Sequence, residues 1–329
     1  AAFAVGMWWR ERGAPPATTW HGEMLGGSAI AFGPRVSPDG RLLAFQAMVD
    51  GQTQVAVMRP DSGNWTVLTR DCERGSVIDL SWSRDGTKVY FDRFVDSPRG
   101  IFSVPVLGGE ERLVLEDAQS PHALPDGSLL VIRINAERRR QLHRFWPETG
   151  RLQTLPAMVS GESFTPIVRV FSDGREAVFF GKPLEAPPDS SDLIYAIELD
   201  SGRTRRLAPE ASIGAGAASV LALAVEPGDR QALLNLPAGN LHRIVAVPRD
   251  GGESMRTVMT LTMMPWYMDA DPDGSLYIDQ VDRPGEVLRF SASGGAPERI
   301  AVSHTFLSGA ALPLPDGRVL FPSRAAGRD

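Results

Sequence analysis

This sequence predicts an all-β fold, a propeller built from four-stranded blades, and three observations carry that prediction. Asp-Gly pairs recur along the chain with a mean spacing of about 46 residues. A second glycine follows each of the first six turns at a nearly constant offset. The segments between these turns are short and apolar and lack a helical period, which is the pattern of strands.

The pairs are Asp39-Gly40, Asp85-Gly86, Asp126-Gly127, Asp173-Gly174, Asp273-Gly274 and Asp316-Gly317. A degraded copy, Pro227-Gly228-Asp229, fills the gap between the fourth and the fifth. The second markers, Gly63, Gly109, Gly150, Gly202, Gly252 and Gly295, stand 21 to 28 residues after the turn glycine of their unit. Each unit reads as four strands. In the first, residues 31–36 lead into Ser37-Pro38-Asp39-Gly40, a tight turn with glycine where a positive φ is needed. Strands at 42–47 and 53–58 follow, and Asp61-Ser62-Gly63 turns the chain into a more polar outer strand at 65–69. The second unit repeats the order at 77–82, 88–93, 101–106 and 111–115.

A four-stranded unit cannot cover both of its faces alone, so the units pack face to face around an axis. Closing the ring also removes exposed sheet edges. Two units depart from the pattern: residues 182–191 form a Pro-rich insertion in the fourth, and the fifth lacks Asp-Gly. Six repeats are complete and a seventh, with apolar segments at 309–313 and 318–322, is truncated. The expectation is a ring of seven blades with the last incomplete. Residues 20–25 would lend that blade a strand, and the native protein would continue beyond Asp329.

The composition, 43% hydrophobic and 22% charged, excludes a disordered chain. Its 34 basic and 40 acidic side chains leave a net charge of −6, which argues against a broad phosphate-binding surface and so against a nucleic-acid partner. Cys72 is the single cysteine, which excludes an intrachain disulfide and a Cys-based zinc cluster. Residues 1–9 are uniformly apolar and end in Trp8-Trp9 before Arg10-Glu11-Arg12. Nine residues are too few for a span of about 20. Apolar chain ending in tryptophan and then charge is nevertheless how a membrane helix leaves the bilayer. Residues 1–19 are read as the end of a transmembrane helix plus a Pro-containing spacer, and 20–329 as the propeller. Membrane contact is expected only through that helix.

Three stretches, VSPDGRLLAF (36–45), WSRDGTKVYF (82–91) and ALPDGSLLVI (123–132), resemble the WD40-like repeat of TolB-type β-propellers. Leu107-Gly108-Gly109-Glu110, a Gly-Gly turn before an outer strand, fits the same repeat. The resemblance covers roughly 31–329 and implies fold rather than function. With the apolar start and the spacer, the arrangement resembles the extracytoplasmic C-terminal region of bacterial membrane-anchored serine/threonine kinases. That likeness implies a sensor or binding domain on the periplasmic side. Two rivals stand beside it: a TolB-like periplasmic protein-interaction module, and a propeller enzyme module of lactonase or peptidase-associated type.

Catalytic signatures do not assemble. Kinase motifs are missing, and there is no Gly-x-Ser-x-Gly elbow. Gly214-Ala215-Gly216 starts like a dinucleotide loop but lacks the third glycine. Asp269-Ala270-Asp271-Pro272-Asp273-Gly274 opens like a calcium loop, yet its twelfth position is Gln280 instead of Glu. The five histidines, His21, His122, His143, His242 and His304, show no metal spacing. Arg138-Arg139-Arg140 with Arg144 is the one dense basic patch and falls at a hairpin tip. No catalytic residue, metal or cofactor is therefore expected. A small ligand or a protein partner is expected at the channel mouth, where loops of all blades converge.

Aligning the inner strands on Asp-Gly sets Arg35, Ser81, His122, Arg169, Ala224, Asp269 and Leu312 at equivalent positions. Two residues earlier stand Gly33, Asp79, Ser120, Ile167, Ala222, Tyr267 and Ala310. The polar members Arg35, Asp79, His122, Arg169, Tyr267 and Asp269 are the candidate ligand-binding residues. Salt bridges among themselves are the competing expectation.

Overall fold

The computed structural model describes residues 20–25, 31–71, 73–94, 99–161, 168–187, 189–208, 222–239, 241–251, 255–280, 285–291, 293–303, 312–316 and 318–320. The proposed membrane segment, Cys72, Gly214-Ala215-Gly216, Ile167, His304 and Ala310 lie outside them. The described chain is all β, with antiparallel sheets and no helix.

One turn is used five times, and blade 5 carries a variant of it in which Asp229, at φ +58, donates the closing N–H to the Glu226 carbonyl. In the first blade Gly40 donates its N–H to the Ser37 carbonyl at 2.9 Å, and Asp39 Oδ1 accepts from Ser37 Oγ and from the Arg41 N–H. Ser83, Asp85 and Gly86 repeat it in the second blade. The turn glycines Gly40, Gly86, Gly127, Gly174, Gly228 and Gly274 all have positive φ, between 67° and 94°. A side chain is strained in that region, so the recurrence of glycine follows from the turn.

Blades 1, 2 and 5 are separate four-stranded sheets. Blade 6 consists of two hairpins, and blades 3 and 4 share one eight-stranded sheet. The outer strand of blade 3, Arg151–Val159, runs on to pair Ala157, Met158 and Val159 with Pro183, Lys182 and Gly181 of blade 4. The Pro-rich insertion in blade 4 lengthens the strand Glu176–Pro183 that makes this seam, and Lys182 donates to the Ser190 carbonyl.

Six apolar clusters fill the six spaces between neighbouring blades. Leu80, Phe91 and Val55 lie in the cluster between blades 1 and 2; Ile101 and Leu129 lie between 2 and 3; Leu142 and Phe179 lie between 3 and 4. Ile194 and Leu234 fill the space between blades 4 and 5, Leu233 and Met268 that between 5 and 6, and Phe45 packs near Tyr277 between 6 and 1. Each such buried side chain contributes about 1.5–3 kcal/mol.

The last cluster corrects the expected ring of seven. The inner strand of blade 6, Met268–Ala270, lies directly against that of blade 1, Ala31–Val36. Six complete units therefore close the ring, because every inter-blade space is already filled. The truncated seventh unit supplies a separate pair of short strands, Leu312–Pro313 and Val319–Leu320, and Leu312 is exposed instead of lining the wall. Residues 20–25 form no strand, although Leu25 packs on the cluster between blades 6 and 1.

Candidate functional site

The inner strands of blades 1, 2 and 3 break register at the same place. Gly33-Pro34, Ile78-Asp79 and Ser120-Pro121 each set two residues against one on the neighbouring strand. These are β-bulges, which leave backbone groups unpaired and redirect side chains. Gly33 has φ +68, and a Cβ there would lie 2.4 Å from Gln46 Nε2.

Carboxylates from second strands cap the bulges. Asp92 Oδ1 accepts the Asp79 N–H at 2.9 Å and also serves the Ser120 N–H of the next blade. Asp279 accepts the N–H groups of Trp266 and Tyr267 at 2.8 Å and that of Gly33, across the ring closure, at 3.0 Å. Aligning inner strands alone missed both residues. Their signal was a polar residue near the end of an apolar second strand, in KVYFDRF and in SLYID.

Four of the six predicted site residues are bound to the wall. Arg35 Nη2 pairs with Asp79 Oδ1 at 2.8 Å, its Nε donates to the Leu80 carbonyl, and its Nη1 to the Pro34 carbonyl. Ser120 Oγ donates to the other oxygen of Asp79. Tyr267 lies beneath the Arg35 guanidinium, 5.4 Å from ring centroid to charge, and donates its hydroxyl to the Ile78 carbonyl of blade 2. Asp269 Oδ2 accepts the Val36 N–H at 2.8 Å. Of the salt bridges that formed the competing expectation, Arg35–Asp79 is present, whereas the Tyr267 hydroxyl and the Asp269 carboxylate bond backbone groups of neighbouring blades.

Blades 3 and 4 are different. His122 and Arg169 are buried, at 6% and 9% exposure, yet His122 Nε2 and Arg169 Nε have no hydrogen-bond partner among the described residues. Among the described residues the Arg169 guanidinium makes one hydrogen bond, from Nη1 to the Val168 carbonyl, and no ion pair. The Asn235 side chain of blade 5 is also buried with both amide atoms unpartnered. His122, Arg169 and Asn235 belong to blades 3, 4 and 5, opposite the bonded arc.

Electrostatics follow this division. Burial would raise the Asp79 carboxyl, but Arg35, Arg169 and His122 outweigh it and hold Asp79 below the usual range. Asp92 is pushed up to about 7 by burial and then by the Asp79 charge. His122 is driven down to about 3 by burial and by Arg169, so it is neutral at physiological pH. Arg169 falls to about 10 through burial and the Arg35 charge, with Asp79, Asp269 and Tyr267 opposing, and stays cationic. Arg169 lies on the inner strand of blade 4, and the charges acting on it come from blades 1, 2 and 6.

The remaining sequence features have local roles. In the calcium-like loop, Asp269 is taken by Val36, Asp273 accepts the Ser275 N–H, and no metal-binding cluster occurs among the described residues. Arg138 sits at a hairpin tip as expected, but Arg144 is not part of that patch. It is buried against Asp126 and Asp200 at 2.8 Å each.

No protein-family model matches the chain, and no curated protein matches it. Solved structures do. The putative TolB from Agrobacterium tumefaciens superposes with a TM-score of 0.58 at 17% identity, covering 77% of this chain and 90% of that one. The fold is an all-β propeller, similar to that structure. TolB from Acinetobacter baumannii gives 0.52 at 15% identity over 69% of this chain, which spans 56% of the length of that protein. An oligogalacturonate lyase in complex with manganese gives 0.50 at 18% identity, covering 90% of this chain and 86% of the other. The TolB-like propeller is thus a scaffold shared by proteins with different activities.

Proposed function

We propose that this chain is a non-enzymatic binding propeller whose ligand enters the central channel. We further propose that it forms the extracytoplasmic sensor region of a membrane-anchored bacterial serine/threonine kinase. The observation that carries the binding reading is the pair His122 and Arg169, buried on the axis with donor groups left unpartnered. Buried polar atoms are nearly always hydrogen-bonded, and those left open at a functional position are groups waiting for a ligand. The opposite arc of the wall, held by Arg35–Asp79 and Tyr267, supplies a preorganised backstop. The sensor reading rests on the apolar residues 1–9 and the spacer before the propeller.

The test is a thermal-shift screen of small metabolites against the wild type and a His122→Trp variant that fills the channel and is folded by circular dichroism. At least one compound is expected to raise the melting temperature of the wild type alone, with no product formed on incubation. Conversion of a bound compound would overturn the non-enzymatic reading, and a shift that survives His122→Trp would overturn the channel. For the sensor role, the full-length protein in vesicles should change its autophosphorylation when the compound is added. An upstream gene sequence without a kinase would end that assignment.

A further inference from the structure

The unpartnered groups specify a chemical class of ligand. We propose that Arg169 and His122 anchor the carboxylate of a small monocarboxylic acid inside the channel. The inference rests on the binding reading above and deepens it.

A buried guanidinium without a counter-ion is unfavourable unless something compensates the charge. Arg169 remains cationic, and the carboxylates on its side of the channel are already engaged. Asp79 is held by Arg35 and Ser120, and Asp269 by the Val36 N–H. No ion pair among the described residues includes Arg169, so Asp79 and Asp269 act on its guanidinium only at longer range. Arg169 Nε–H is a donor without an acceptor, and His122, as neutral imidazole, can present Nε2–H as a second. Two donors, one of them on a cation, match the two oxygens of one carboxylate. A phosphate dianion fits less well, since Asp79 and Asp269 repel its second charge and its third oxygen finds no free donor among the described inner-strand residues. An amine is excluded by Arg169 itself. The near-complete burial of both side chains keeps the rest of the acid small.

Isothermal titration of wild type, Arg169→Met and His122→Ala with acetate, pyruvate and benzoate tests this, with inorganic phosphate and acetamide as controls. At least one of the three acids is expected to bind wild type tenfold or more tightly than phosphate or acetamide, and to lose tenfold or more in each variant. Unliganded Arg169→Met is expected to melt no lower than wild type, because it removes a buried charge that has no direct ion pair among the described residues. A melting temperature several degrees lower would mean that Arg169 is structural and would overturn the proposal. Should Arg169→Met not fold, Arg169→Lys keeps the charge without the fork and is expected to weaken acid binding by a similar factor; unchanged binding overturns the proposal. Absence of carboxylate binding to wild type, or phosphate binding of equal strength, also overturns it. A tripeptide with a free C-terminus, run against its amide, separates the sources: tighter binding than the free acids overturns the small-acid assignment. A ligand blocked by His122→Trp but indifferent to Arg169→Met would defeat this inference and leave the binding reading intact.

Discussion

Asp279 Oδ2 accepts the Gly33 N–H at 3.0 Å, and this bond fastens the sixth blade to the first across 246 residues of sequence. The other oxygen of the same carboxylate serves Trp266 and Tyr267. Removing it strands three N–H groups, that of Gly33 at the bulge of blade 1 and those of Trp266 and Tyr267 just before the inner strand of blade 6. Asp279→Ala is expected to lower stability by about 3–5 kcal/mol, and Asp279→Asn by less, because the amide oxygen retains part of the cap. Urea unfolding with a shared m-value checks both. An alanine loss below about 1 kcal/mol would mean that closure rests on the apolar cluster alone.

Arg35 and Asp79 form the ion pair that stiffens the bonded arc, with side-chain exposures of 6% and 1%. Breaking one side of a buried pair leaves an uncompensated charge and costs about 3–5 kcal/mol, whereas replacing both partners with apolar residues costs far less. Arg35→Met is expected to be strongly destabilising, and Arg35→Met with Asp79→Leu to recover much of the loss. A double-mutant cycle by thermal unfolding reads the coupling, and additive effects would show that the pair contributes little.

Five of the six blade turns were legible in the sequence because each closes on a glycine at positive φ, a requirement met within four residues, whereas the fifth closes on Asp229 at φ +58. The inner-strand candidates were legible for a related reason: register from the turn fixes which residues face the axis. Closure was not, since the seventh Asp-Gly copy at Asp316 continues the local pattern while the decision lies in contacts such as Asp279 with Gly33. Nor was the division of the site. Arg35 and Arg169 occupy equivalent positions, and the neighbour in space, Asp79 on the adjacent blade, makes one a strut, whereas the other has no ion pair among the described residues. Asp92 and Asp279 were hidden inside apolar strands, where one polar residue reads as noise until a bulge is seen beside it.

Gly181 marks the seam between blades 3 and 4. A Cβ there would lie 2.1 Å from the Met158 carbonyl oxygen, a backbone atom with a strand partner of its own. Gly181→Ala must push Arg151–Val159 away from Glu176–Pro183 and lose this part of the ladder. The expected loss is about 2–4 kcal/mol, with faster amide exchange at Val159 and Ser160 and unchanged exchange in blade 1. Uniform acceleration across the ring would show that the seam is no weaker than the rest.

Asp92 and His122 give stability opposite dependences on pH. Asp92 titrates near 7 in the folded protein and near 3.8 when unfolded, so the folded state holds the extra proton between these values. Stability from this group is full below about 3.8 and is lost as pH rises through 7. His122 titrates near 3 when folded and 6.5 when unfolded, so its contribution is full above 6.5 and is lost as pH falls toward 3. Asp92→Asn mimics the protonated carboxyl and leaves the Asp79 and Ser120 N–H groups an amide oxygen. It is expected to stabilise the protein at pH 8 by on the order of 1–3 kcal/mol and to have little effect at pH 4. His122→Phe should flatten the acid side, with its gain over wild type growing as pH falls from 6.5 to 4. Urea unfolding at pH 4, 6 and 8 checks all three proteins. A constant difference between Asp92→Asn and wild type across that series would show that the Asp92 proton is not linked to folding.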